Sequence, residues 1–586
     1  MKKTTLIFVS MFVVQSISFS ISLFVNPTSG NDFTGDGSFG NPYKTIAKIG
    51  SILYNTHCDT IYILGTNHSG VKDEIYRSDS QNYWIYIRPY NNPSVTLSGV
   101  NSFPPDSWKA ILGVQSSKYI DIGFINVTAN DSASGFRVVS DDTTNHRISQ
   151  FVNIRNCKAN NCRRQGILIQ ASDVTVENCE IDSVCLRNKP YPHLQGGWDF
   201  ALGCLLIPEK PYFQVCKNIV FRNNYVHNAW GEGIVVERER DFLIEDNRVS
   251  DCFSVCIYAD KSRFGVIRRN WISVNGEYYN RTYDPTYIAR ASGIFWASEN
   301  LRHQDSIITN IDIVNNFLYG TGPAFGWFDD EANSSIYDSY RKINIFYNTV
   351  FNTKSYMIFY IDTLNVNPSR IVPDNCNFKN NIICKAKWNN QYERYFTYST
   401  DFITSWNVTN NCFIHGPDAR FPNNITGAPS FLDSLTNYPD SFKIKATSNC
   451  RDTGVLVFDY NNVPINTDYW KAGRDNTPSI GFYEYGGIAG IKQIENEIAK
   501  EYSLSQNYPN PFNPNTNIEF AIPETAQAKL VVYDLSGKEV SILVNQQLSP
   551  GTYNYSLDGS NLSSGVYIYK LETENFVDTK KMILVK

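Results

Sequence analysis

IVFRNN (219–224), FLIEDN (242–247) and GVIRRN (265–270) follow one another at intervals of 23 residues. Each is a short apolar-alternating run that stops at a polar pair ending in Asn. A second kind of run lies between them: GIVVE from Gly233, and SVCIYAD centred on Cys256. A period in the low twenties, built from two or three short strands, is the mark of a β-solenoid. One coil cannot bury its own apolar face, so coils must stack at the ordinary strand spacing of about 4.8 Å. Asn at a fixed turn position then forms a ladder whose side-chain amides bond from coil to coil.

The same two half-motifs extend in both directions, over roughly residues 110–415. VNIRNC ends at Cys157, VTVENC at Cys179, IDIVNN at Asn316, INIFYN at Asn348, CNFKNN at Asn381 and WNVTNN at Asn411. GILIQ from Gly166, GCLLI from Gly203 and GIFWA from Gly293 fill the second slot. A leucine-rich repeat would need its LxxLxLxxN frame, and a propeller would need longer units with hairpin turns. Neither is present. Composition agrees, with 37 Tyr, 35 Phe and 10 Trp against 4 Met, because aromatics and Asn favour sheet and turn over helix. A chain of 586 residues exceeds one compact core, so two or more domains are expected.

The net charge of −5 leaves no basic footprint, which argues against a nucleic-acid partner. Residues 1–20 read as a signal peptide: Lys2 and Lys3 precede a short apolar core, and Ser18 and Ser20 supply a small-x-small cleavage pattern. No later stretch is apolar enough to span a membrane, and a monomer is expected. The 13 Cys are an odd number in which no zinc spacing appears. Export permits disulfides, but Cys in strand-like patterns reads first as a buried small hydrophobe.

LFVNPTSGNDFTGDGSFGNPYKTIAKI (23–49) resembles the opening segment of secreted right-handed parallel β-helix proteins of the pectate-lyase-like superfamily. DNTPSIGFYEYGG (475–487) resembles their closing strand. The resemblance implies an all-β solenoid over 23–486, in a superfamily that holds lyases, hydrolases and non-catalytic surface proteins. A charged, helical linker is expected over 487–502. SLSQNYPNPFNPNTNIEFAIPE (503–524), LVVYDLSGKEV (530–540), GTYNYSLDGSNLSSGVYIYKLET (551–573) and the final KKMILVK resemble a type A sorting domain of the type IX secretion system. That resemblance implies a small β-sandwich over 503–586, export by the type IX machinery, and a secreted or surface-attached body.

Two insertions interrupt the repeat at the same turn: LRNKPYPHLQGGWDF (186–200) and GEYYNRTYDPTYIARA (276–291). They would stand three coils apart, roughly 14 Å, and flank a trough suited to an extended sugar chain. With Ile234, Val236, Ile257 and Ala259 inward, Val235 and Glu237 on one coil and Tyr258 and Asp260 on the next point outward. Arg238 and Lys261 follow in the adjoining turn, and His227, Trp230 and Glu232 approach from the preceding one. Trp198 and Trp230 are candidates for stacking on sugar rings. Trp296 and Trp327 fall at core positions, Asp329, Asp330 and Glu331 form an acidic turn, and His303 stands in a loop.

Three readings stay open. A polysaccharide lyase would use Lys261 or Arg238, with His227 or Tyr258 as alternatives, to take the proton alpha to a uronate carboxylate. The other cation, or a calcium ion held by Glu237 and Asp260, would neutralise that carboxylate. A glycoside hydrolase would use Glu237 and Asp260 as its carboxyl pair. A non-catalytic glycan-binding or adhesin-like surface protein would carry the same four residues as a solvated ion-pair lattice.

Overall fold

Alternation along each strand, with one side chain in and the next out, produces a three-sided tube. A computed structural model describes residues 21–585, apart from 78–81, 100–108, 130–132, 141–147, 189–198, 206, 209–212, 215, 276–290, 298–307, 329–339, 354–358, 362–372, 386–405, 415–420, 422, 433–437, 475–476, 486–490, 496–500, 514, 525, 549 and 560–561. Among the described residues, three parallel sheets run the length of the body, with 13, 13 and 10 strands. The first begins at Ser22–Val25, the second at Asn67–Ser69 and the third at Asp73–Ile75. Within a coil the chain visits them in that order. Arg240–Glu245 lies in the first, Arg248–Ser250 in the second and Val255–Asp260 in the third.

Register holds like residues over like. Phe221, Ile244, Ile267 and Ile313 stack in the first sheet, Val226, Val249, Ile272 and Leu318 in the second, and Ile234, Ile257, Ile294 and Phe325 in the third. All are buried in one continuous core, which also holds Trp296 and Trp327.

The corner between the first and second sheets contains two residues. The first is left-handed: Asn223, Asp246, Arg269 and Asn315 have φ of 53°, 57°, 54° and 56°. Asn and Asp tolerate that region best among residues with a side chain. The second is the ladder. Asn224, Asn247, Asn270, Asn316, Asn348, Asn381 and Asn411 each donate from Nδ2 to Oδ1 of the next, and Asn411 donates to Asn424, at 2.9–3.1 Å. All 13 Cys are buried and unpaired, and Cys157 and Cys179 occupy this corner where the ladder has not yet begun.

Helix Ile46–Ile52 stands at the opening of the tube. Thr45 caps it through Lys48, and Asp73 accepts the N–H groups of Ile46 and Ala47. The stretch around 477–485 is not the closing strand its sequence suggests. Its backbone bonds reach Cys450 and Asn380 rather than a neighbouring strand, Gly481 has φ of 92°, and the buried pair Arg474–Glu484 holds it in place. It packs beside the second sheet, where Phe482 stacks on Phe317.

Two four-stranded antiparallel sheets make up the last unit. Ser503–Leu504, Asn515–Ile522, Ala526–Tyr533, Glu539–Leu548, Gly551–Asp558, Gly565–Glu572 and Val577–Leu584 enclose a separate core. Residues expected as a helical linker include instead a strand, Ile491–Glu495, paired antiparallel with Gly551–Asp558. The expected signal peptide lies outside the described residues. No helix among them is long and apolar enough to cross a membrane.

Candidate functional site

Strands Glu232–Glu237 and Val255–Asp260 pair in parallel, with Val235 beside Tyr258 and Glu237 beside Asp260. Ile234, Val236, Ile257 and Ala259 fill the tube, so the alternation follows the sequence reading. Both strands end at the corner leading back to the first sheet. Arg238 and Lys261 take its left-handed position, with φ of 59° and 46°. Their backbone N–H groups donate to Asp260 at 2.7 Å and to Ala297 at 2.9 Å. Two carboxylates and two cations therefore stack as adjacent columns. Nη1 of Arg238 lies 3.7 Å from Oε1 of Glu237. Burial pushes the Glu237 carboxyl up, and the charges of Arg238 and Lys261 pull it back only in part.

The face around these residues is not the solvated trough expected. Val235 and Tyr258 are 4% and 6% exposed and belong, with Leu168, Phe200 and Phe295, to a second apolar cluster outside the tube. Asp260 and Lys261 are each 5% exposed. The reason is legible in SVCIYAD and GIFWA, which carry apolar residues on both faces, as parallel sheets covered on both sides do. Tyr258 is thus a packing residue, and an ion-pair lattice open to solvent does not describe the site.

His227 is set elsewhere. It lies on Tyr225–His227 in the second sheet, stacked on Tyr225 with ring centroids 4.0 Å apart. Its Nε2 is 3.2 Å from Glu180 and its Nδ1 is 3.2 Å from Asp182. Trp230 packs against the main core beside Phe253, and Glu232 opens its strand, donating its N–H to Asp199 at 2.9 Å. His227 thus stands in a different sheet from Glu237 and Asp260, and Glu232 at the opposite end of the Glu237 strand. Trp198, His303, Asp329, Asp330 and Glu331 lie outside the described residues, as do 189–198 and 276–290 of the two insertions.

What is described of the first insertion is its anchor. Asp199 accepts Gln165 Nε2 at 2.8 Å and Arg187 Nη2 at 2.9 Å, with Arg164 beside it. Burial raises its carboxyl, and Arg187 and Arg164 offset that in part. Sequence reading missed a further insertion at the opposite corner, where Ile207–Pro208 and Phe213–Gln214 form a small hairpin. The signal was the 45-residue gap between the ladder positions Cys179 and Asn224, more than one insertion requires.

Among the described residues two groups gather three metal-donor side chains: Cys204, Cys216 and Glu239, and Glu180, Asp182 and His227. Glu237 and Asp260 belong to neither.

With this geometry in view, the class of protein follows. The chain is a right-handed parallel β-helix protein: residues 211–324 match the right handed beta helix region family. Residues 506–586, in the last unit, match the secretion system C-terminal sorting domain family. Similar solved structures include pectate lyase Pel9A, at 16% identity and a TM-score of 0.43, covering 80% of this chain and 97% of that one. The Streptococcus pneumoniae surface protein and adhesin PfbA is similar at 11% identity and a TM-score of 0.41, covering 65% and 95%. The polygalacturonase from Erwinia carotovora ssp. carotovora is similar at 10% identity and a TM-score of 0.33, covering 60% and 97%. No curated protein sequence matches the chain.

Proposed function

We propose that this chain is exported by the type IX secretion system and that its β-helix cleaves an acidic polysaccharide by elimination at the outer face of the third sheet. The observation that carries the reading is the column of Glu237 and Asp260 with Arg238 and Lys261 at the corner just beyond. Elimination needs a base for the proton alpha to a uronate carboxylate and a cation for that carboxylate. Arginine stays protonated at any working pH, so Arg238 suits the carboxylate. Lys261, at the same corner one coil on, is assigned as the base. The proton passes to Nζ of Lys261, the carbon–hydrogen electron pair forms the new carbon–carbon double bond, the bond from the beta carbon to the glycosidic oxygen breaks, and that oxygen takes a proton from water. Calcium held by Glu237 and Asp260 is the alternative counter-charge.

A second reading, a non-catalytic glycan-binding surface protein, is favoured by the burial of Asp260 and Lys261. The two part on a product assay. Purified chain is incubated with pectate, alginate and other uronate polymers, with calcium or with a chelator, and the ultraviolet absorbance of the unsaturated product is followed. Absorbance rising on at least one polymer supports elimination. Reducing ends without absorbance would assign Glu237 and Asp260 to hydrolysis, and binding without either signal would leave the second reading.

A further inference from the structure

At the corner between the third and first sheets, the position just before the first-sheet strand is small on several coils. Ser149 and Ser262 occupy it on their coils, each turning its hydroxyl to a carbonyl of the strand just ended, at 2.7 and 3.0 Å. Cys216 and Glu239 hold the same position on successive coils, since Lys217 and Arg240 after them pair in register. Glu239 breaks the pattern. It is 0% exposed, its N–H is satisfied by Ser262 at 2.9 Å, yet among the described residues no nitrogen or hydroxyl donor reaches its carboxylate, whose polar neighbours are the Cys204 and Cys216 thiols. An uncompensated carboxylate in a dry interior is strongly disfavoured.

What surrounds that carboxylate is sulfur. Cys204 ends the strand Phe200–Cys204 and Cys216 begins the next stretch after the intervening hairpin; both are fully buried. Their Sγ atoms and a Glu239 oxygen all lie within 4.8 Å of one another. The Leu205 carbonyl oxygen is 3.1 Å from Sγ of Cys216 and 3.9 Å from Sγ of Cys204. We infer that Cys204, Cys216 and Glu239 form a buried site for a thiophilic divalent cation, zinc above all, with the Leu205 carbonyl at hand as a fourth donor. Two thiolates and one carboxylate are ligands zinc accepts in four-coordinate structural sites, and sulfur disfavours calcium and magnesium. Binding exchanges the thiol protons for the cation.

The consequence is mechanical. Cys204 and Cys216 stand at the two ends of the 205–215 insertion, and Glu239 sits two residues beyond Glu237 on the next coil. A cation would fasten the base of that insertion to the coil that carries the candidate site. This goes beyond the proposed elimination and does not depend on it.

The test uses the full-length chain, purified with a thiol reductant and without chelator. Elemental analysis is expected to find about one equivalent of zinc. Cobalt added to the metal-free chain is expected to give a thiolate-to-cobalt charge-transfer band. Cys204→Ser should abolish the band, and Glu239→Gln, which keeps the volume, should weaken zinc binding about tenfold or more while circular dichroism stays unchanged. A chelator should lower the melting temperature of the wild type and leave that of Glu239→Gln in place. A folded wild-type chain with no zinc and no cobalt band would overturn the inference. So would a Cys204–Cys216 disulfide mapped by mass spectrometry in chain recovered from culture medium. If Cys204→Ser fails to fold, the wild-type cobalt titration decides alone.

Discussion

Oδ1 of Asn270 accepts both the backbone N–H and the Nδ2 of Asn247, each at 3.0 Å. Its own Nδ2 donates to the Ile244 carbonyl and to Asn316. One buried amide thus satisfies polar groups on the coil before and the coil after its own, where water cannot replace it. Asn270→Ala leaves those groups bare and should cost about 3 kcal/mol, read as a drop in the urea midpoint. Asn407→Ala, on the exposed side of its sheet, should cost under about 0.5 kcal/mol. Equal losses would mean that the ladder is not a stabilising element.

Conformation, separately from hydrogen bonding, explains the residue before the ladder. Asn223 has φ of 53°. Asn223→Gly should be nearly neutral and Asn223→Val should lower stability by about 1–2 kcal/mol, measured in the same denaturant series. A neutral valine would refute the argument.

Arg269 ties Glu245 and Asp246 at 2.6 and 2.7 Å, and Lys471 from the later segment reaches Asp246 at 2.9 Å. Burial pushes both carboxyls up, but the cations outweigh it and hold them below their ordinary range. Stability from a depressed carboxyl is present above its unfolded pKa and is lost as pH falls through the folded one. Arg269→Ala should therefore cost about 3 kcal/mol near neutrality and progressively less towards pH 3, in thermal melts across that range.

Asp312 has the opposite sign. Burial raises it to about 7, while Asn344 at 2.8 Å and the Tyr460 N–H at 3.0 Å favour its charged form. A carboxyl raised on folding contributes stability that is complete below its unfolded pKa and is lost as pH climbs through the folded value. Between about pH 4 and 7 the wild type should lose up to roughly 4 kcal/mol from this group. Asp312→Asn should flatten that slope, and an unchanged slope would place the loss elsewhere.

The solenoid was legible because its cause is periodic. IVFRNN, FLIEDN and GVIRRN state the strand, the left-handed residue and the ladder amide directly, and stacking Glu237 on Asp260 follows from the same count. Burial of this face was readable only in the two-sided apolar runs SVCIYAD and GIFWA, because alternation says which way Tyr258 and Lys261 point but not what lies over them. His227 was misplaced because a two-residue corner and a longer turn look alike in sequence, and they lead to different sheets. Cys204, Cys216 and Glu239 escaped notice because their proximity arises between coils, across an insertion, where no spacing rule applies. The segment near 480 shows the same limit: its bonds go to Cys450 and Asn380, far along the chain.

Lys261 as the base is tested most directly by its removal. On whichever uronate polymer the wild type cleaves, the initial rate of unsaturated product is measured for wild type and for Lys261→Ala, with melting curves to show that both are folded. A loss of about a hundredfold or more in rate at unchanged polymer binding is expected. A folded Lys261→Ala that forms product at the wild-type rate would contradict the account.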